Sequence, residues 1–465
     1  MPVNTPNPQY TQRLDEWMDC RDAADGSRAV KLRGERHLPK LGGQTDDEYK
    51  AYKQRALWYG ATGRTIQGLI GSVFRKAMQV EAPEAMVPQL DDVTLTGISL
   101  ETFCKAALAE VLKVGRYGIL IDMGTEAGAT ERPYWIGYQA ERIINWATTQ
   151  QHGDTVLTMV VLSEEDVQPD PNDPFVHIKT AQYRVLRMNA GKYVVDIWRA
   201  STEDKGRWKI HESITPVFRG APIPYIPFCF VGPTALTPDP EKPPLLDLVD
   251  VNLSHYRSSG DLEHGRHFTA LPTPWVAGFP TETVLRIGAA IAWVASDPNA
   301  RVGMLEFTGQ GLGALVTACE GKESLMAILG ARMLEEQKKA VESADTHAMR
   351  NAGEASALQS IAGTVEQSLT MALRWHVAWL GLSLDKVGIE LNKIFVEAHM
   401  SAPELAELVR TWQAGAISDQ TLYYNMRRGE LTRPDSTFEE EQRLISLQAP
   451  ARLPLQDSLP GVPLS

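Results

Sequence analysis

Gly309-Gln310-Gly311-Leu312-Gly313-Ala314 fits G-x-G-x-x-A, the pattern by which some folds bring backbone against a pyrophosphate at a helix N-terminus. That chemistry needs a βαβ unit. Here a helical apolar pattern runs on from the glycines with no second strand after it, so a flexible strand-to-helix joint is the simpler reading. His264 and His267 stand three apart beside Asp261 and Glu263 and could share a metal, but no third ligand follows at a fixed spacing. A polar helix end is preferred, and no metal or cofactor is expected. His376 lies between Trp375 and Trp379 on an apolar helix face and reads as a packed core histidine. Residues 403–428 outline a helix-turn-helix around Gly415. Against DNA reading, Tyr423 and Tyr424 occupy the would-be recognition helix, and Arg427 and Arg428 fall at its end. No P-loop, G-x-S-x-G, H-E-x-x-H or C-x-x-C occurs, so an enzyme is not expected. A nucleotide-binding enzyme using Gly309–Ala314 and a helix-turn-helix regulator using 403–428 remain as alternatives.

The charged residues that could touch a ligand concentrate elsewhere. Between two long apolar-striped segments lies 335–353, with Lys338, Lys339, Glu342, Asp345, His347 and Arg350 and almost no large apolar side chain. The preceding segment sets Leu315, Cys319, Leu325, Leu329 and Met333 at helical spacing over 313–334. The following one repeats that with Leu358, Ile361, Val365, Leu369, Leu373 and Leu380 as far as Leu382. The pattern predicts two helices facing each other across a polar break.

The rest of the chain must position that unit. Its 465 residues suffice for two or three domains, and 43% hydrophobic with 22% charged residues is globular composition. A net charge of −12 argues against a broad basic face gripping nucleic-acid phosphate, and suits a surface past which DNA slides without sticking. Cys20, Cys104, Cys229 and Cys319 are scattered singly, which predicts reduced thiols rather than a disulfide framework. No signal peptide and no membrane span are expected.

Within an N-terminal part over 1–95, residues 10–80 read as helical, with a stripe Ile66, Leu69, Ile70, Val73 ending at Arg75-Lys76, a pair suited to capping; Pro83 and Pro88 then mark a connector. A helix over Leu100–Val114 leads into strand-like runs at 117–122, 134–138, 156–162, 183–188 and 193–198. Strands following strands predict an α+β domain over 96–243. A proline-crowded boundary precedes a helix over 244–267, its face formed by Leu246, Val249, Leu253 and Tyr256. An insert over 268–312 carries strands at 274–277 and 301–307 and a short helix at 281–290. Residues 394–448 read as three short helices, with Ser418 capping the second and the acidic Glu439-Glu440-Glu441 in the third; 449–465 reads as a flexible tail.

This order resembles that of the portal proteins of tailed bacteriophages. Arg55-Ala56-Leu57-Trp58-Tyr59 through Phe74-Arg75-Lys76 is similar to the N-terminal stretch of a portal-like family. Ala140-Glu141-Arg142-Ile143-Ile144-Asn145-Trp146 resembles its "P-E-x-I-x-x-W" wing strand, with Gln139-Ala140 where a proline is common. Ile223-Pro224-Tyr225-Ile226-Pro227-Phe228 resembles the segment before its stem helix. The resemblance spans about 50–430. It implies a mostly helical α+β portal fold: a wing over 1–95 and 96–243, a descending stem helix over 244–267 and a clip over 268–312. An ascending stem helix over 313–334, a tunnel loop over 335–353, a long wing helix within 354–393 and a crown over 394–448 would follow. It further implies a non-enzymatic homo-oligomeric ring, usually a dodecamer, at one capsid vertex of a virion assembled in the host cytoplasm. Such a ring conducts double-stranded DNA during packaging and ejection. Its partners would be the large terminase, head-tail adaptor or tail proteins, and capsid or scaffolding protein, with no membrane. Lys338, Lys339, His347 and Arg350 would then approach the phosphates in the tunnel loop, and Arg257, Arg266 and Lys322 would line the stem.

Overall fold

The structure is a computed structural model that describes residues 2–123, 132–151, 153–201, 207–218, 220–270, 273–279, 293–295, 297–305, 309–334, 356–395, 402–428, 432 and 436–448. The chain is mixed α+β and divides into two compact units, 1–393 and 394–465.

The first unit opens with helices α1 (Pro8–Asp25), α2 (Ser27–Leu32), α3 (Asp46–Arg55) and α4 (Ala61–Val73). Thr45 starts α3 with a full capping box: its hydroxyl accepts from the Glu48 amide and the Glu48 carboxylate accepts from the Thr45 amide. Trp17, Cys20, Val30, Tyr52 and Ala56 form one core with Val249, Leu253 and Tyr256, residues of helix α6 (Leu246–Ala270). After strand β1 (Gln79–Glu81) a 3-10 turn occupies 84–89, where the prolines suggested an irregular connector. Helix α5 (Leu100–Val114), capped by Ser99 and stopped by Gly115 at φ +70°, follows.

Strands β2 (Tyr117–Met123) and β3 (Pro133–Gln139) pair antiparallel. A second sheet runs in sequence order through β4 (Ile143–Gln151), β5 (Asp154–Asp170), β6 (Asp173–Asn189), β7 (Lys192–Ala200) and β8 (Trp208–Ile214). Two-residue strands β9 (Val217–Phe218) and β10 (Ala221–Pro222) pair with each other, and β11 (Phe228–Val231) joins β2. Phe228, Phe230, Tyr138, Ile143, Trp146 and Leu186 fill the space where the two larger sheets meet. Arg116 is buried there, its guanidinium 4.2 Å from the Trp146 ring centroid and 4.7 Å from that of Phe230, with the Pro238 carbonyl accepting from Nη1. The opposite face of the five-stranded sheet buries Ile144, Val161 and Val185 under Val3 and Tyr10.

Strands β5 and β6 are each 17 residues long, far beyond the expected 156–162 and 183–188. Their bases pair with β4 and β7; beyond Leu162 and Gln182 they pair only with each other, as a projecting ribbon that turns at Pro171–Asn172.

Helix α7 (Leu312–Ala331) packs on α6, while helix α8 (Ala357–Trp379) packs on α5, β2, β3 and β11. The expectation that the two apolar-striped helices face each other is therefore corrected. α7 and α8 are consecutive, but each finds its own partner. Ser356 caps α8, and Gly381 at φ +73° ends it short of Leu382. Strand β14 (Gly388–Glu390) returns to β1.

The expected packed histidine is as read: His376 is fully buried, Trp135 Nε1 donates to its Nδ1 at 3.0 Å, and its Nε2 faces Gln89 Oε1 at 2.9 Å. With Nδ1 accepting, Nε2 carries the proton and the ring is neutral. Burial, with Arg132 adding to it, pushes the pKa down to about 3.

The second unit holds helices α9 (Ala402–Gln413), α10 (Asp419–Arg428) and α11 (Phe438–Gln448). Ser418 caps α10, accepting from the Thr421 amide at 3.2 Å. Tyr423, on the would-be reading helix, is buried against Phe438, and its hydroxyl bonds Ser436. That use removes it from any groove-facing role.

Candidate functional site

The long pair α6–α7 is where polar and apolar features converge. Between them sits a two-stranded antiparallel sheet, β12 (Thr273–Ala277) and β13 (Arg301–Leu305), with Thr273 opposite Leu305 and Ala277 opposite Arg301. The expected short helix at 281–290 lies outside the described residues. The G-x-G-x-x-A segment leads directly into α7. Gly309 has φ +67°, the only strands of the insert are an antiparallel pair among the described residues, and no βαβ unit is formed there. Gly265 on α6 lets Leu312 in so closely that a Cβ would come within 2.6 Å of Leu312 Cδ2. The glycines thus serve helix approach and a turn rather than a nucleotide.

Helix α6 is bolted on two sides by polar contacts. Toward the N-terminal helices, Tyr52 donates to Asp261 Oδ1 at 2.7 Å and Thr62 Oγ1 to Asn252 Oδ1 at 2.9 Å. Asn252 Nδ2 donates to the Tyr59 carbonyl at 2.7 Å. Burial, reinforced by the Asp261 carboxylate, raises the Tyr52 pKa. Toward α7, His255 Nε2 meets Glu323 Oε1 at 3.1 Å. Lys322 donates to the Ser254 carbonyl at 3.1 Å and to Ser258 Oγ at 2.6 Å. Helix α6 buries its stripe within its own chain: Leu248, Val249, Asn252, Leu253 and Tyr256 are all buried.

Helix α7 behaves differently. Only Cys319 and Met326 are buried along it, followed by Met333 just beyond, a line with seven-residue spacing that faces α6. Leu325, expected in the buried stripe, is instead 42% exposed, and Ile328 is 50% exposed. With Ala314, Ala318 and Gly321 they form an outward strip of small and aliphatic residues along the whole helix.

Of the basic residues singled out, Lys338, Lys339, His347 and Arg350 lie outside the described residues. Arg257, on α6, is exposed and donates from Nε to the His37 carbonyl at 3.1 Å. Arg266, near the insert end of α6, pairs with Glu263 at 2.8 Å with its side chain 52% exposed. Lys322 is turned inward as the α6–α7 clasp. The three are spread along the pair and do not converge. His264 is taken up by ring contacts with Tyr52 and Phe268, and burial lowers its pKa. Among the described residues no three His, Cys, Asp or Glu are grouped to hold a metal, and no helix is long and apolar enough to cross a membrane. The clasp residues Ser254, Ser258, His255 and Glu323 were missed in the sequence. Their only signal was polar residues interrupting the inward face of an otherwise apolar helix pair. Chemically the arrangement can pack and present surface, with the Lys322–Ser258 and His255–Glu323 contacts joining the two helices.

Residues 244–380, which hold this pair and α8, match a family model described as a domain of unknown function, DUF4055. A search of curated proteins found no match. Among solved structures, one similar chain comes from the virion of a native gene transfer agent particle. It shares 11% identity at a TM-score of 0.34, with 84% of this chain and 96% of that chain covered. Another, from the neck of the native particle computed with C12 symmetry, shares 12% identity at 0.37 over 81% and 92%. A third, from the neck of the empty particle with C6 symmetry, shares 12% at 0.35 over 82% and 93%. At such scores the alignments carry no assignment of function.

Proposed function

We propose that this chain is a portal protein, a subunit of a closed ring that conducts double-stranded DNA at one vertex of a phage-like capsid. The observation that carries the reading is α7: a twenty-residue helix with an apolar outward strip left uncovered among the described residues, packed on a partner helix that is itself anchored. An apolar strip of this length needs a partner. Copies related by rotation, each offering α7 to a different face of the next, close into a ring about an axis lined by helix pairs.

The acidic balance fits a conduit, since a net −12 subunit repels phosphate and lets DNA move. In this reading 335–353 is the tunnel loop, and Lys338, Lys339, His347 and Arg350 make transient phosphate contacts at the constriction. Arg257 and Arg266 present charge along the stem, while Lys322 holds the stem together. The β12–β13 insert is the clip, where terminase docks and adaptor proteins later replace it. Capsid or scaffolding protein surrounds the sheet-bearing wing.

The deciding experiment is native mass measurement with negative-stain imaging of the full chain. A ring of about a dozen copies with a central opening supports the proposal. A stable monomer, dimer or tetramer with no opening at any concentration refutes it.

A further inference from the structure

The β5–β6 ribbon leaves the sheet with its hydrogen bonds made only internally. A two-stranded ribbon in water is marginal by itself, yet this one carries large apolar side chains into solvent. Phe175 is 91% exposed, and Val167, Val176 and Ile178 are 45–46% exposed. Register shows where they point. Cross-strand partners share a face, so Ser163 with Tyr183, Val167 with Lys179 and Pro169 with His177 continue the face on which Val161 and Val185 are buried. The register shifts between Pro169 and Asp170, so Phe175 lies in the irregular tip, where it is almost fully exposed. Across the sheet, Tyr183 pairs with Trp198 and Trp198 with Ile210, itself 48% exposed. On the sheet this outer face is apolar, while along the ribbon Val167 and Pro169 alternate with Ser163, Glu165, Lys179 and His177. The N-terminal segment covers the sheet end of it, and among the described residues nothing covers the ribbon end.

Charge identifies the occupant. Residues 163–182 carry five carboxylates against one lysine. Glu164 and Asp166 are neutralised by Arg184 and Arg199 and Glu165 pairs with Arg142, while Asp170 and Asp173 at the tip make no ion pair among the described residues. The same chain holds a surface of opposite sign. Residues 27–57 carry eight lysines and arginines against four carboxylates in a chain of net −12, and of the eight Arg33, Arg36 and Lys40 are already paired with Asp22, with Asp15 and Asp19, and with Asp46. There Leu32 is 87% and Leu57 60% exposed, and Lys31 donates to the Gln54 carbonyl at 2.9 Å, joining α2 to the end of α3. Arg28, Lys50 and Lys53 make no ion pair among the described residues.

We infer that the β5–β6 ribbon is an arm that seats Phe175 and the acidic tip of one copy on the Leu32–Leu57 surface of a second copy. The inference rests on the ring reading and specifies a contact that reading does not require: a second, electrostatically matched joint away from α7. Two different surfaces on one chain make the contact heterologous, the kind that propagates around a ring.

The test mixes two differently tagged full-length chains, Phe175→Cys and Leu32→Cys, under mild oxidation. The four native cysteines are buried and do not interfere. A disulfide joining the two tags is expected. In parallel, Asp170→Lys with Asp173→Lys should raise the concentration for half-assembly about tenfold, as for an interface hot spot. Arg28→Glu with Lys50→Glu should do the same, and combining the two charge reversals should restore assembly. All these residues are on the surface, so the monomer's melting temperature should be unchanged. Rings that form equally well in every variant with no mixed disulfide overturn the inference and leave the ring intact. Mixed disulfides in particles of only two to four copies overturn the ring reading instead. Capture of Phe175 solely by another virion protein also overturns the inference.

Discussion

Replacing His376 by Gln tests the interior where α8 packs on α5 and the three-stranded sheet. In the folded chain the ring is fully buried, accepts from Trp135 and faces Gln89, and its pKa falls from 6.5 to about 3. A folded-state pKa below the unfolded one means the unfolded chain binds the proton. Stability from this residue is therefore fully present above about pH 6.5 and drains away as pH falls toward 3. Each unit of pH within that window costs about 1.4 kcal/mol, so about 2 kcal/mol is lost by pH 5. Gln at 376 keeps one acceptor and one donor but does not titrate. We expect H376Q to be less stable at pH 8 by about 1–3 kcal/mol through imperfect hydrogen bonding. Its further loss between pH 8 and 5 should be smaller than wild type's by about 2 kcal/mol. Denaturant unfolding of both chains at the two pH values, followed by tryptophan fluorescence, measures this difference, in which all other titrating groups cancel. Equal pH losses in the two proteins would show that His376 is protonated in the folded state, and the neutral-ring argument would be wrong.

Leu325→Asp with Ile328→Asp should leave the monomer's melting temperature unchanged and abolish assembly in native mass measurement. Each half-exposed side chain offers about 1 kcal/mol on burial, and a carboxylate in its place adds a desolvation cost. Lys322→Met removes two hydrogen bonds to α6 and should loosen α7 by about 1–3 kcal/mol, read as faster amide exchange along 312–331 with α8 unaffected. Lys338→Ala with Lys339→Ala should reduce DNA retained in a packaging assay while ring mass is unchanged; undiminished retention would remove 335–353 from the proposed conduit.

The helices were legible where period and caps agreed. Helix α6 lies within three residues of its expected bounds, and Ser418 caps where it was expected to; Ser99 and Ser356 cap as well, without having been singled out. The ribbon was invisible for a physical reason. Between Leu162 and Tyr183 run Glu164-Glu165-Asp166, Pro169, Pro171 and Pro174, which break the alternation that marks a half-buried strand, and among the described residues neither side of that stretch is buried in a core. The α7 stripe failed similarly. Its apolar residues surround the helix, so period alone could not say that Cys319, Met326 and Met333 face inward while Leu325 faces out. The end of α8 was legible but misread: Gly381 supplies the left-handed stop one residue before the apolar Leu382.

In the proposed ring, the two surfaces left uncovered among the described residues, the outward strip of α7 and the β5–β6 ribbon, differ in a way that bears on copy number. A strip along one helix resists separation but leaves rotation about the helix axis poorly fixed, and ring closure depends on that angle. A second contact at the end of a projecting ribbon, some seven residues or about 23 Å beyond the sheet, acts with a long lever on the same angle. Shortening the ribbon, by joining Glu165 to Ala181 through a two-residue turn, should therefore leave α7-mediated association intact while broadening the distribution of copy numbers. Native mass spectrometry of the assembled fraction reads this directly. A single unchanged copy number would mean that α7 alone sets the closing angle, and the ribbon would have no part in determining ring size.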